Sequence, residues 1–217
     1  MNILVIAPHA DDEVLGCGGL IAKYAKRHDV YVCIVTKPYR PDWSERYIQN
    51  REAEIANATR ILGVKKTTVL GFHAAKLDTY PQKELNAALQ DVVKKIRPQT
   101  VFLPHPGDVH KDHRIVFESG LVATRPPLDT LSKILCYETL SETEWGACMI
   151  PFVPNVYEDV SGTMDKKNAA MQAYASELRE HPHPRSLDGI DAQAKKRGSE
   201  AGVPYAEAFH LIREVNG

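Results

Sequence analysis

Asn2-Ile3-Leu4-Val5-Ile6-Ala7-Pro8-His9-Ala10-Asp11-Asp12-Glu13 is the stretch that decides the fold. Its first half is a continuous apolar run, the pattern of a strand buried on both faces in a helix-covered parallel sheet. Its second half places a histidine and three carboxylates where that strand ends. A second apolar run, Thr100-Val101-Phe102-Leu103, is followed in the same way by Asp108-Val109-His110-Lys111-Asp112-His113. Histidines and carboxylates gain little beyond a buried strand unless they share a partner, and a divalent cation is the simplest one.

Outward from these two runs, strand-like and helix-like patterns alternate. Strands are expected near 2–7, 30–36, 67–70, 100–104 and 133–138, with helices near 12–26, 44–62, 82–96 and 114–123. Gly63 stands where the second helix needs a C-terminal cap, and Pro81 and Pro98 bracket the third. After residue 140, Pro151, Pro154, Pro182, Pro184 and Pro204 break the pattern into shorter pieces. These are a strand near 155–160, helices near 162–178 and 187–200, and a last strand near 207–213.

The alternation predicts an α/β protein: a Rossmann-like, doubly wound, mainly parallel sheet with helices on both faces. In such a sheet, ligands bind beyond the carboxyl ends of the strands, where strand order reverses. With strand order 3-2-1-4-5, the first and fourth strands are neighbours at that point, and they are the two that end in the polar clusters. The chain of 217 residues is long enough for one sizeable core and shows no linker or repeat, so one domain over 1–217 is expected.

Composition narrows the function. A formal net charge of -1 leaves no basic footprint for nucleic acid or an anionic membrane. No run approaches the roughly 18 apolar residues of a membrane helix, and no basic leader precedes the first strand, so a cytoplasmic location is expected. Cys17, Cys33, Cys136 and Cys148 form no C-x-x-C pair; they read as reduced core residues rather than zinc ligands or disulfides. The loosely patterned C-terminal third is the candidate region for homo-oligomer contacts.

Imidazole and carboxylate ligands without thiolate suit a catalytic zinc or a similar first-row metal, commonly with three protein ligands and a water. Zinc lowers the pKa of such a water to about 7. Hydrolysis then needs a carboxylate to take the water's proton and a donor to meet the developing oxyanion. Asp11 and Asp12, adjacent in a strand-to-helix turn, point in different directions and can divide metal binding from proton transfer. His110 and His113 can both bind metal, or one can bind while the other faces the oxyanion. The competing structural reading makes Asp11 or Asp12 a plain helix cap.

Arg51 stands out on the second helix. At 100° per residue, Ile55, Ala58 and Leu62 fall within about 40° of it, so the guanidinium emerges from the apolar stripe and needs a polar partner. Glu54, at i+3, is one candidate, and the remaining donors are available for a substrate. Gly16-Cys17-Gly18-Gly19 lacks the spacing of a dinucleotide loop and reads as close packing of the first helix. His181-Pro182-His183-Pro184-Arg185 is a weaker candidate for a second metal site or a substrate edge. His105 and Asp108 are candidates to orient the ligands from behind.

These residues resemble a known family. Pro8-His9-Ala10-Asp11-Asp12-Glu13 is similar to the (A/P)-H-P-D-D-E signature of the PIG-L/LmbE family of zinc-dependent de-N-acetylases, and Asp108 to His113 to its H-x-D-H element. Arg51 and Glu54 match its R-x-x-E, Leu70-Gly71-Phe72 its L-G-F, and Tyr205-Ala206-Glu207-Ala208-Phe209 its Y-A-E-x-F. The resemblance implies His9, Asp12 and His113 as metal ligands, Asp11 as general base, and His110 as an electrophilic imidazolium held by Asp112. It also implies Arg51 as a substrate contact. Zn2+ is the implied cofactor, with Fe2+ or another divalent ion as the alternative in the cell. The implied reaction removes an N-acetyl group from a small N-acetylated amino sugar or glycoconjugate, giving acetate and a free amine.

The sequence departs from the family at Ala10, where proline is usual, and at His73-Ala74-Ala75-Lys76, where an Asp soon after L-G-F is common. Two other functions compete. Asp108, His110, Asp112 and His113 have the spacing of a binuclear metallo-β-lactamase-type hydrolase with its first histidine replaced. The other is a non-catalytic Rossmann-like binding protein.

Overall fold

A computed structural model describes residues 1–216. The strands are β1 (Asn2–Ala7), β2 (Asp29–Lys37), β3 (Lys66–His73), β4 (Thr100–Pro104), β5 (Lys133–Tyr137), β6 (Val156–Asp159) and β7 (Ala206–Glu214). They form one sheet in the order β3-β2-β1-β4-β5-β7-β6. The first five are parallel in the expected 3-2-1-4-5 order, and β7 and β6 extend the β5 edge in antiparallel sense. The helices are α1 (Asp12–Tyr24), α2 (Glu45–Leu62), α3 (Gln82–Ile96), α4 (Lys111–Ala123), α5 (Thr143–Gly146), α6 (Met164–Ala173) and α7 (Leu187–Ala201).

The unbroken apolar run of β1 has a direct cause. Ile3, Val5 and Ala7 point into the cluster shared with α1, α2, α6 and α7, whereas Leu4 and Ile6 point into the opposite cluster with α3 and α4. From Ile3 to Ala7 both faces of the strand are dry, so every one of these positions is apolar. Gly16 and Gly19 let α1 sit close to the sheet: a Cβ on Gly16 would lie 2.2 Å from the Tyr137 ring, and one on Gly19 2.7 Å from Val160. The close-packing reading of that glycine cluster holds.

Several boundaries differ from expectation. The fourth helix begins at Lys111, not near 114, because His110 Nδ1 accepts the Asp112 N–H at 3.1 Å and caps the helix there. Asp112 and His113 therefore lie in the first turn of α4. The helix expected over 162–178 stops at Ala173. Beyond it, the Tyr174 hydroxyl donates to buried Glu13 at 2.5 Å, and the Ser176 N–H donates to Glu54 at 2.9 Å; these ties draw the chain out of the helical path. Cys17, Cys33 and Cys136 are buried as expected, but Cys148 is exposed, in the irregular stretch after α5. No helix among the described residues is long and apolar enough to cross a membrane.

Candidate active site

β1 and β4 are hydrogen-bonded neighbours, and the segments that leave their carboxyl ends meet in one cleft of about 620 Å3. His9, Asp11, Asp12, His110 and His113 all line it.

The turn from β1 into α1 is unusual. Asp11 has φ 125° and ψ -27°, a left-handed conformation that costs a non-glycine residue about 1–3 kcal/mol and calls for compensation. Buried Glu13 supplies it by accepting the Asp11 N–H at 3.1 Å. Neither carboxylate of the adjacent pair caps α1 through its side chain, so the plain helix-cap reading fails. Asp12 Oδ2 instead accepts the His9 N–H at 2.8 Å and faces two imidazoles.

Three donor atoms form a nearly equilateral triangle. His9 Nδ1 lies 3.4 Å from Asp12 Oδ2, His113 Nε2 lies 3.3 Å from that same oxygen, and the two ring nitrogens are 3.3 Å apart. Tetrahedral ligands at zinc's 2.0–2.1 Å would be about 3.3–3.4 Å apart, so this donor set fits a small divalent cation. The outer nitrogens of both rings are held. His9 Nε2 meets Asp112 Oδ2 at 3.1 Å, and His113 Nδ1 meets Asp108 Oδ2 at 2.8 Å, each a carboxylate behind a ligating imidazole. Asp108 is fixed in turn by the Thr143 hydroxyl, which donates to its Oδ1 at 2.6 Å.

A looser set also exists, since His9, His110 and His113 can each bring one atom within 4.8 Å of the others. His110 Nδ1, however, already accepts the Asp112 N–H, and the Asp12 triangle is the tighter of the two.

The electrostatics agree with a site built for positive charge. Burial opposes a charged His9, yet hydrogen bonds to Asp112 and Asp12 raise its pKa to about 9. His113 is raised in the same way, with Asp12 and Asp108 overcoming burial. Against its own burial, Asp12 is held far below the usual carboxylate range by His113 and His9. His110 behaves differently: burial, and then the charges of His9 and His113, push it down to about 4. Asp11 is pushed up by burial and by Asp12 and Glu177, with Arg185 and Arg51 offsetting part of the effect.

One sequence-based contact needs correction. The Asp112 carboxylate does not hold His110; besides His9, it accepts the Ala75 N–H at 2.7 Å and the Leu77 N–H at 3.2 Å. The His73–Lys76 departure from the family pattern thus supplies part of its anchor. What Asp112 gives His110 is its backbone N–H. Arg51 is buried as expected and lines the cleft, with its terminal nitrogens also engaged within the protein. Nη1 donates to the Ala10 carbonyl at 3.2 Å, Nη2 to Tyr47 and Glu177, and Glu54 lies at 3.5 Å.

His105 accepts the Gly107 N–H at 3.1 Å and packs edge-on against Phe152, and it does not orient a ligand. His183 Nδ1 accepts the Arg185 N–H at 3.1 Å, so the His-Pro-His-Pro-Arg loop is self-tied rather than a second metal site. It aims Arg185 into the cleft, where Nη1 lies 3.0 Å from Glu177 and 3.4 Å from Asp11. Thr143, Tyr174 and Glu177 escaped the sequence reading, because their significance lies in partners far along the chain. The binuclear reading lacks donors, since Asp108 and Asp112 face away from the cleft onto His113 and His9.

A family profile described as GlcNAc-PI de-N-acetylase, PIG-L, matches residues 4–124, more than half of the chain. The chain belongs to the PIG-L family. This PIG-L protein is 34% identical to "Uncharacterized deacetylase YaiS" of Escherichia coli (strain K12), over 73% of this chain and 82% of that one. It is 29% identical to "Probable N-acetyl-alpha-D-glucosaminyl L-malate deacetylase 2" of Bacillus anthracis, over 82% and 81% of the two chains. Among solved structures, the conserved protein TT1542 from Thermus thermophilus matches with a TM-score of 0.81 at 27% identity, covering 99% of this PIG-L chain and 96% of that one.

Proposed function

We propose that this chain is a metal-dependent N-deacetylase that hydrolyses the acetamido group of a small N-acetylated amino sugar, releasing acetate and a free amine. The observation that carries this reading is the His9–Asp12–His113 triangle, with edges of 3.3–3.4 Å, open to a cleft that Asp11 and His110 also line. Family membership and the acetylated-sugar relative named above support the substrate class. The whole chain, 1–217, is taken as one catalytic domain, because one sheet carries both the polar clusters and the C-terminal strands.

His9 Nδ1, Asp12 Oδ2 and His113 Nε2 are assigned as the ligands, and zinc suits this thiolate-free set, with Fe2+ as the alternative. An ion held there would supply Lewis acidity for hydrolysis of the amide. Asp11, held in the cleft by its strained turn, takes the proton from the attacking water and returns it to the leaving amine. His110 Nδ1 is an acceptor, so its proton sits on Nε2, where it can donate to the oxyanion of the tetrahedral intermediate. Asp112 and Asp108 fix the ring orientations of His9 and His113. Arg51 braces the Ala10–Asp11 turn and Glu177.

Metal-reconstituted protein should release a primary amine and acetate in equal amounts from at least one member of a panel of N-acetylglucosamine derivatives. A chelator should abolish this activity and zinc restore it. Turnover that survives complete removal of metal would overturn the reading.

A further inference from the structure

One wall of the cleft is aromatic and has no part in the chemistry described above. It is built by residues 38–47, between β2 and the first turn of α2. Tyr39 and His73 stack at 4.1 Å with 22° between their planes, and Lys76 Nζ lies 4.4 Å from the Tyr39 ring centroid. The Trp43 N–H donates to the Tyr39 carbonyl at 3.1 Å, and the Trp43 ring meets Tyr39 edge-on at 5.5 Å. Trp43 then lies 6.5 Å from Tyr47 with 28° between planes, and the Tyr47 hydroxyl is anchored to Glu177. Of these rings, Trp43 and Tyr47 line the cleft, and the others buttress them from behind.

Trp43 and Tyr47 belong to neither apolar cluster of the sheet, so core packing does not account for them. Pro38, Ile48 and Val69 extend the same wall with apolar surface. The cleft of 620 Å3 is mid-range for small-molecule sites, which span about 300–1,000 Å3. Arg51 and Arg185 beside this wall pair with Glu177, and the Arg51 guanidinium also lies over the Tyr47 ring at 5.0 Å, so the open flat face of the wall is that of Trp43. A flat indole face is matched by a six-membered ring that presents C–H bonds or π density.

We propose that Trp43, supported by Tyr47, forms a stacking platform for a second, uncharged ring joined to the N-acetylated sugar, so that the enzyme prefers ring-substituted N-acetyl amino sugars to the free monosaccharide. The placement of the acetamido end at the His9–Asp12–His113 triangle rests on the reading under Proposed function. The second ring has two sources, a further pyranose or an aryl aglycone, which share this chemistry.

The test compares kcat/KM for free N-acetylglucosamine, its β-linked dimer and its p-nitrophenyl glycoside, in the parent, Trp43→Ala and Trp43→Phe proteins. The parent should favour at least one ring-bearing substrate by about tenfold, equal to about 1.4 kcal/mol. The dimer alone being favoured points to a pyranose, and the glycoside alone to an aryl group. Trp43→Ala should reduce the preference to about twofold or less, and Trp43→Phe should keep most of it. A parent enzyme with no preference, or a preference unchanged in Trp43→Ala, overturns the proposal.

A binding measurement separates this outcome from failure of the deacetylase reading. In an Asp11→Asn, Trp145→Phe protein, Trp43 is the only tryptophan. Its emission should shift on titration with the dimer or the glycoside at concentrations where the free monosaccharide has no effect. No shift with either overturns the platform, whatever the catalytic assays show. Absence of amine release from all three substrates, with the shift present, overturns the reaction and leaves the platform standing.

Discussion

Asp112 and His9 are joined side chain to side chain, Oδ2 to Nε2 at 3.1 Å, across 103 residues of sequence. The carboxylate thus lies behind one of the imidazoles of the donor triangle, and not behind His110, its neighbour two residues away. A carboxylate in that position fixes the ring and raises its basicity as a ligand. Asp112→Asn should therefore weaken zinc binding by about 10–100-fold, the usual loss when such a partner is removed. Competition with a chromogenic chelator measures this. Unchanged affinity together with a slower reaction would return Asp112 to the role of holding His110.

Asp11 and Asp12 should separate cleanly on substitution. Asp11→Asn is expected to bind one zinc per chain and to lose about 10²–10⁴-fold in kcat, the range for a missing general base. His113→Ala should lose the metal itself. Metal analysis of both variants beside their rates makes the distinction, and an Asp11→Asn enzyme with the parent's kcat would remove Asp11 from the chemistry.

His110→Ala should lower kcat by about 10²–10³-fold, with a much smaller change in KM, because its donor is needed only when the oxyanion forms. Steady-state kinetics on the best substrate decide it. A change confined to KM would assign His110 to binding.

Arg51 is 5% exposed and lies between Glu177, Glu54 and the Ala10 carbonyl. Arg51→Ala would leave the Glu177 and Glu54 carboxylates without their main countercharge, which for a buried pair costs about 3–5 kcal/mol. Urea unfolding should show this loss. If stability is intact and only KM rises, the side chain contacts substrate and is not a brace.

Metal removal should also register in stability. Because the ligands come together only in the folded chain, zinc at about 100 times its Kd adds about 2.7 kcal/mol. Tm should fall on adding a chelator and recover on adding zinc. A Tm indifferent to both would deny a folded-state metal site.

The parts of this architecture that could be read from the sequence are those that depend on local pattern. Ile3 to Ala7 had to be apolar throughout because both faces of β1 are covered, and that run fixed the parallel sheet and the strand end where His9 and Asp12 emerge. The meeting of β1 and β4 followed from the order of the elements. What stayed hidden depends on contacts between distant segments. The 3.6-residue period correctly buried Arg51, but its partner Glu177 lies 126 residues away, on a stretch that periodicity assigned to a helix. Tyr174 leaves that helix for Glu13, 161 residues away, and nothing local to either residue marks the pair. Spacing placed Asp112 near both histidines, but a helix's first turn does not reveal which ring its carboxylate meets.

The donor triangle stands on strand ends locked into the dry centre of the molecule. Residues 174–185, the opposite rim, are fastened to that base by Tyr174 on Glu13, Ser176 on Glu54, and Arg51 and Arg185 on Glu177. That rim is mechanically continuous with the chemistry, because Arg185 lies 3.4 Å from Asp11 and Tyr174 donates to Glu13, which holds the Asp11 N–H. Any revision of this segment is therefore felt at the catalytic carboxylate as well.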